Sequence, residues 1–256
     1  PEPPEKPEPP EKPEPPEKPK EPYTLVYDKN AEDAKGSMED VSTEAGATLK
    51  TAENKFERLG YSFAGWNTSA DGTGISYSEN ANYAVVVNPE KKNVLCAQWR
   101  PNDNTKYIVE HYLITTDNTA AILKDVDILN GTTGARVDVS NRAKVYSGYE
   151  FSPSYDNEGM KTITSGVVAG DGSLVLKLYY QRKYTISYKL EEGALEEGKS
   201  NPTEYYVNSE NIVLNNPVRK GYTFAGWTGT ELNGAVELVT IPKGSVGNRV
   251  YVATWK

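Results

Sequence analysis

Few side chains in this sequence have the chemistry of a nucleophile, a general base or a soft metal ligand. Its 256 residues include one histidine, His111, and one cysteine, Cys96. A hydrolase triad needs a base within reach of its nucleophile, and a structural zinc site needs four ligands. His111 lies in the strand-like run VEHYL, and Cys96 aligns with Val252 in a second copy of its segment, so both are interpreted as structural. The sequence therefore predicts no catalytic residue, no metal site and no cofactor, and we expect that the chain is not an enzyme.

The acidic residues give no clearer indication of a reaction. Asp-Gly pairs at 71–72 and 171–172 are typical of turns, and neither carries the spaced carboxylates of an EF-hand loop. Two carboxylates at a suitable distance for glycoside cleavage would arise by chance among 36 acidic residues, so they indicate nothing.

Composition excludes several classes of partner. The net charge of −8 lacks the basic surface that binding to nucleic acid needs. No run of about 18 apolar residues is present, so we expect no membrane insertion in this segment. A single cysteine permits no internal disulfide. The chain does not begin with Met, and we expect a fragment of a longer protein whose targeting and anchoring signals lie outside it.

Two stretches of the chain repeat each other. LGYSFAGW at 59–66 returns as KGYTFAGW at 220–227, and each copy's Trp lies 43 residues after an aligned Tyr, Tyr23 or Tyr184. Both copies close on a similar strand, VLCAQWR and VYVATWK. Internal repetition predicts a modular array, an architecture that serves display, spacing or binding more often than catalysis.

These repeats, together with composition, divide the chain into segments. The predicted segments are a Pro/Glu/Lys-rich stalk or linker at 1–22, a first repeat at 23–100, a linker at 101–106, a middle module at 107–183 and a second repeat at 184–256. The stalk contains PEPPEK three times, a composition that predicts polyproline II. At about 3.1 Å per residue, such a stalk reaches roughly 70 Å.

Alternating patterns predict which side chains form each core. Tyr23, Leu25 and Tyr27 are expected to point inward, by alignment with the period-two run at the start of the second repeat. In the middle module, Leu174, Leu176, Leu178 and Tyr180 are predicted to share one face of a strand. Small modules without disulfides depend on large aromatic side chains. The expected core anchors are Phe63, Trp66, Trp99, Phe224, Trp227 and Trp255.

The two repeats also resemble a known family. Their pattern Y-T-(I/L)-x-Y, G-Y-(S/T)-F-A-G-W, A-(Q/T)-W-(R/K) is similar to the Listeria–Bacteroides repeat, also called the internalin B-type repeat. The family's Asn-Gly-Gly turn is replaced by DKNAED at 28–33 and KLEEGA at 189–194. The middle module, with VEHYL, GTTGARVDV, GYEF and DGSLVLKLYY, resembles the mucin-binding-protein repeat less specifically.

These resemblances imply a fold class and a location. They imply a β-rich α+β fold of three tandem β-grasp-like modules in an elongated array, preceded by the polyproline II stalk. They also imply an extracellular place on the cell surface or cell wall of Gram-positive bacteria, where such proteins are often adhesins. We expect a monomer.

Two functions remain open at this point. The first is a binding and display segment of an adhesin, which engages host or cell-surface glycoprotein, such as mucin, through the middle module. The candidate sugar-stacking residues are Tyr146, Tyr149 and Tyr155. The alternative is a passive spacer that projects another domain from the cell wall. A contiguous exposed apolar patch would favour binding, and uniformly polar faces would favour the spacer.

Overall fold

The computed structural model describes residues 22–256. The predicted polyproline II stalk falls almost entirely on residues 1–21, outside that range. Within the described residues the fold consists of β-strands and one three-residue 3-10 turn, Ser140–Arg142. The β-rich part of the predicted fold class is thus confirmed, whereas its α component is reduced to this turn. Runs rich in Val, Thr and Tyr with period-two alternation favour strands over helices throughout.

The described residues fall into two compact units, and the first ends at Arg100. Its strands are β1 (Tyr23–Asp28), β2 (Val41–Thr43), β3 (Thr48–Lys50), β4 (Tyr61–Asn67), β5 (Ser76–Tyr77), β6 (Asn82–Ala84) and β7 (Lys92–Pro101). Five strands form a sheet in the order β2-β1-β7-β4-β5, and β3 pairs with β6. The first and last strands, β1 and β7, are parallel neighbours.

The core of the first repeat lies against this sheet. Trp66, Leu25 and Leu95 are completely buried, and Tyr23 and Tyr27 are nearly so, which confirms the predicted inward face of β1. Phe63 and Trp99 are partly buried and pack against the edge of this cluster. The Trp99 indole N–H donates to the Lys29 carbonyl at 2.8 Å.

The second unit runs from Pro101 to Lys256 and contains both the middle module and the second repeat. Its strands are β8 (Thr105–Ile114), β9 (Ala121–Gly131), β10 (Arg136–Asp138), β11 (Tyr149–Phe151), β12 (Asp156–Asn157), β13 (Met160–Lys161), β14 (Ser165–Val167), β15 (Val175–Lys189), β16 (Glu204–Tyr206), β17 (Ile212–Val213), β18 (Phe224–Gly229), β19 (Thr240–Ile241) and β20 (Arg249–Trp255). The main sheet has the order β18-β20-β15-β8-β9, and β11 and β16 also pair with β15.

One strand, β15, serves both modules of this unit. Its beginning, residues 175–180, pairs in parallel with β8, and its end, residues 186–189, pairs in parallel with β20. The boundary predicted between residues 183 and 184 therefore lies inside a continuous strand of 15 residues.

Each module of the second unit has its own core. Leu176, Leu178 and Tyr180 of β15 are completely buried in the middle module, and Leu174 packs against them, which confirms the predicted strand face. In the second repeat Trp227 and Tyr251 are almost completely buried. Phe224 and Trp255 are partly buried and pack against that cluster.

The backbone conformation explains why both copies of the Ala-Gly-Trp sequence contain glycine. Gly65 and Gly226, which precede the two buried tryptophans, have φ angles of +126° and +124°. A Cβ atom at Gly65 would lie 2.9 Å from the Tyr77 carbonyl oxygen, and one at Gly226 would lie 2.7 Å from the Val236 nitrogen. Only glycine fits such a conformation beside a neighbouring backbone. The glycine of the motif therefore allows the close approach of the neighbouring backbone directly before each buried tryptophan.

Candidate functional site

The three tyrosines proposed from sequence do not form a common binding face. Tyr155 is only 4% exposed and stacks on Tyr179, so its ring offers no surface to a ligand. Tyr146 and Tyr149 pack against the core on the other side of the sheet, around Tyr180. The period-two side-chain alternation of β15 places Tyr179 and Tyr180 on opposite faces, and this separates the candidates.

The single histidine is part of a buried polar network. His111 is completely buried, and its Nδ1 lies 2.8 Å from the Tyr180 hydroxyl. Its Nε2 lies 3.1 Å from Oδ2 of Asp127, and Lys144 Nζ donates to Oδ1 of the same carboxylate at 2.7 Å. Tyr146 donates its hydroxyl to Asp125 at 2.6 Å. The pairing of β8 with β9 brings Asp125 and Asp127 to His111, and the pairing of β8 with β15 brings Tyr180.

The network fits a neutral imidazole. The ionised Asp127 carboxylate can only accept a hydrogen bond. Nε2 therefore carries the proton, and Nδ1 accepts a hydrogen bond from the Tyr180 hydroxyl. Burial lowers the pKa of His111, and the Asp127 hydrogen bond only partly opposes this effect. The Lys144 ammonium holds the pKa of the Asp127 carboxyl below its usual value. This arrangement ties residue 144 to the sheet and has a structural role.

The environment of Cys96, like that of His111, disfavours a reactive side chain. Burial raises the pKa of the Cys96 thiol, which disfavours the thiolate that nucleophilic attack or metal binding requires. Among residues 22–256, no three His, Cys, Asp or Glu side chains are grouped so that they could hold a metal ion. In that range there is also no helix with the length and apolar character needed to cross a bilayer.

A groove of about 530 Å³ opens within the second unit, where the turn between β8 and β9 meets two loops of the second repeat. The turn contributes residues 116–118, and the loops contribute Val207, Asn208, Lys243 and Val246. Its volume lies in the range of small-molecule sites. Three segments distant in sequence meet here because β15 joins the two modules.

The turn at the groove is held in place by the middle module. Tyr155 donates its hydroxyl to Oδ1 of Asn118 at 2.8 Å, and the Asn157 amide donates to the Asn118 carbonyl at 3.1 Å. The Thr115 hydroxyl donates to Asp117 and holds the pKa of that carboxyl below its usual value. Tyr155, selected from sequence as a sugar-stacking residue, thus holds the turn that lines the groove through its hydrogen bond to Asn118.

The groove presents both polar and apolar groups. Asp117 offers an ionised carboxylate and Lys243 an ammonium group, which also contacts Glu210 at 2.7 Å. The exposed Asn208 side chain has no hydrogen-bond partner among residues 22–256 and offers both a donor and an acceptor. Val207 and Val246 supply apolar walls. No motif in the sequence marks Asn208 or Lys243, since each lies in an ordinary turn-forming loop.

A second exposed feature lies on the middle module. Leu123, Val126 and Ile128 of β9 are about half or more exposed, and Val126 and Ile128 lie on the sheet face opposite to that of His111. We call these three residues the β9 strip. An exposed apolar group is more typical of a contact surface than of a uniformly polar spacer.

Comparison with known proteins identifies the repeats. No curated protein matches this chain. The family model of the Listeria-Bacteroides repeat domain matches residues 23–98 and 184–244, together more than half of the 256 residues. Repeats of this family are typical of bacterial surface proteins. The two matched regions correspond to the two segments that share the Gly-Tyr-(Ser/Thr)-Phe-Ala-Gly-Trp motif, and the chain belongs to the Listeria-Bacteroides repeat family.

Proposed function

We propose that this chain is a non-catalytic display and binding segment of a bacterial cell-surface adhesin, and that it engages a glycan of host or cell-surface glycoprotein. The groove between the middle module and the second repeat carries this proposal. It combines a turn held by two hydrogen bonds to Asn118 with the exposed Asn208 side chain, which has no hydrogen-bond partner among residues 22–256.

The chemistry of the groove suits a sugar. Sugar hydroxyls are both donors and acceptors, and the Asp117 carboxylate, the Asn208 amide and the Lys243 ammonium can pair with them. The C–H face of a pyranose ring is apolar and can pack on Val207 or Val246. Small-molecule sites typically combine apolar walls with a few placed polar groups. The ligand class thus remains the one expected from sequence, but the site moves away from Tyr146, Tyr149 and Tyr155.

Membership of the repeat family supports the proposed location outside the cell, on the bacterial surface or in the cell wall. The resemblance of the middle module to mucin-binding-protein repeats supports mucin as the first glycoprotein to test. The parallel pairing of each module's first and last strands supports a β-grasp-like fold for all three modules. We propose a monomer that has neither a nucleic-acid partner nor a cofactor.

The spacer function remains a second candidate, and one observation favours it. The strand β15 passes from the middle module into the second repeat without a flexible linker, which suits a semi-rigid rod. The β9 strip and the groove favour binding instead, because a passive spacer needs neither.

A glycan and mucin binding screen with the whole chain tests the proposal. We expect the wild-type chain to bind one or more mucin-type glycans, and Asn208→Ala to bind them about ten-fold more weakly. Asn233→Ala is the matched control, because Asn233 is an exposed loop asparagine of the same repeat that lies outside the groove. Failure of the wild-type chain to bind any glycan would favour the spacer.

A further inference from the structure

We propose that this chain bears tension, and that each module resists it through a ladder of parallel backbone hydrogen bonds between its first and its last strand. We call these ladders the parallel clamps. This inference goes beyond ligand binding and does not depend on the groove, because a chain can carry load whether or not it holds a glycan.

The first repeat is closed by β1 and β7. Residues 24–28 lie opposite residues 92–96 in parallel register. The ladder begins where the Thr24 N–H donates to the Lys91 carbonyl at 2.9 Å. Every residue between these two strands in sequence lies inside the loop that the clamp closes.

The other two modules have the same closure. In the middle module, residues 108–113 of β8 lie opposite residues 175–180 of β15, and the Ile108 N–H donates to the Leu174 carbonyl at 2.9 Å. In the second repeat, residues 186–189 of β15 lie opposite residues 249–252 of β20, again in parallel.

This geometry decides how tension acts. When the chain is pulled from its two ends, the first strand of a module is pulled from its beginning and the last strand from its end. Because the two strands are parallel neighbours, these forces point in opposite directions along the same ladder. All hydrogen bonds of the clamp are then loaded in shear at once. Strands pulled from the same end would instead separate one hydrogen bond at a time.

The continuous strand passes the load from one module to the next. Near its centre, Lys183 Nζ lies 3.4 Å from Glu150 of the middle module and 2.9 Å from Glu204 of the second repeat. The Tyr206 hydroxyl donates to the same Glu150 at 2.6 Å. These contacts brace the strand between its two clamps, at the place where a free linker would bend.

Single-molecule pulling on the full chain in two directions tests the proposal. One preparation carries handles at the N-terminus and at Asp103→Cys, an exposed site just after β7, and loads only the first repeat's clamp in shear. The other carries handles at the N-terminus and at Glu90→Cys, an exposed site just before β7, and opens the same clamp from one end. Both preparations contain Cys96→Val, the residue type found at the aligned Val252, so that only the handle thiol reacts.

We expect the first repeat to rupture at a several-fold higher force when pulled between the N-terminus and residue 103 than when pulled between the N-terminus and residue 90. Equal rupture forces in the two directions would overturn the proposal. This comparison leaves both strands and all their backbone hydrogen bonds unaltered, so it does not depend on a clamp variant that folds.

A pair of proline variants provides a second test. Thr24→Pro removes one N–H from the clamp, and Lys35→Pro removes one N–H that donates to Glu57 at 2.8 Å outside it. At matched thermal stability, Thr24→Pro should lower the rupture force measured between the N-terminus and residue 103 more than Lys35→Pro does. An equal reduction would contradict a specific role for the clamp. Asn208→Ala should leave these forces unchanged, which separates this test from the test of glycan binding.

Discussion

The hydroxyl of Tyr180 lies 2.8 Å from Nδ1 of His111, and both side chains are completely buried. The same hydroxyl accepts the backbone N–H of Lys144 at 2.9 Å. One tyrosine oxygen therefore connects a β8 histidine with the segment that follows the 3-10 turn. Because both side chains are completely buried, each polar group depends on its protein partners.

Replacing this hydroxyl should destabilise the middle module. Tyr180→Phe leaves the Lys144 N–H and His111 Nδ1 without their shared partner, and an unsatisfied buried group costs about 1–3 kcal/mol. The matched control is Tyr179→Phe, because Tyr179 is also buried but its hydroxyl has no hydrogen-bond partner among residues 22–256. Denaturant unfolding should show a clearly lower free energy of unfolding for Tyr180→Phe only. An equal decrease for Tyr179→Phe would contradict a stabilising role of the hydrogen-bond network.

The buried histidine should make stability depend on pH. Burial lowers the pKa of His111 below its ordinary value of 6.5, so the unfolded chain binds this proton at a higher pH than the folded chain does. The free energy of unfolding is therefore largest above that value. It falls as the pH drops through 6.5 toward the folded pKa. The lowered pKa values of Asp125 and Asp127 act in the same direction, but at more acidic pH.

Thermal melting across the neutral to mildly acidic range checks this dependence. His111→Gln should flatten the slope, because the chain contains no other histidine. An unchanged slope, or an NMR titration of folded His111 at an ordinary pKa, would show that the imidazole is not buried in its neutral form.

The glycine of the repeated motif should be irreplaceable. Gly226→Ala places a Cβ atom 2.7 Å from the Val236 nitrogen at a φ of +124°, so backbone strain and a clash act together. Gly244→Ala is the control, because Gly244 also has a positive φ but its Cβ would meet open space. Gly244→Ala should cost about 1–2 kcal/mol from strain alone. Calorimetry should show a larger decrease in the free energy of unfolding for Gly226→Ala than for Gly244→Ala. Comparable decreases would argue against the close approach of the Val236 backbone to Gly226.

The motif's tryptophan should carry much of the second repeat's stability. Trp227 is completely buried and donates its indole N–H to Asn216 at 3.0 Å. Trp227→Ala should cost about 3–5 kcal/mol in the free energy of unfolding. Leu238→Ala, at a residue 71% exposed, should change it by less than about 0.5 kcal/mol. A small effect of Trp227→Ala in denaturant unfolding would show that another cluster forms the core.

Local patterns made part of this fold predictable from sequence. Period-two alternation identified the inward face of β1 and the Leu176, Leu178 and Tyr180 face of β15. Residues 49–59 contain no helix, although Leu49, Ala52 and Phe56 recur there at helical spacing. The α component of the fold class was a family expectation, and residues 22–256 contain only a three-residue 3-10 turn.

Long-range pairing made the rest unpredictable. Asp127 reaches His111 only through the β8–β9 register, and Tyr180 reaches it only through the β8–β15 register. The groove likewise joins a turn near residue 117 with loops near residues 208 and 244. The sequence spacing of these residues does not reveal that they are neighbours. The network around His111 depends on strand registers, and the groove depends on β15, which pairs in both modules.

The binding of mucin-type glycans by the whole chain, measured as an isotherm for wild type, Asn208→Ala and Asn233→Ala, tests the central claim most directly. The proposed groove predicts saturable binding by wild type and Asn233→Ala, and binding about ten-fold weaker for Asn208→Ala, equivalent to about 1.4 kcal/mol. Absence of wild-type binding, or equal affinities for all three chains, would contradict a glycan site in this groove.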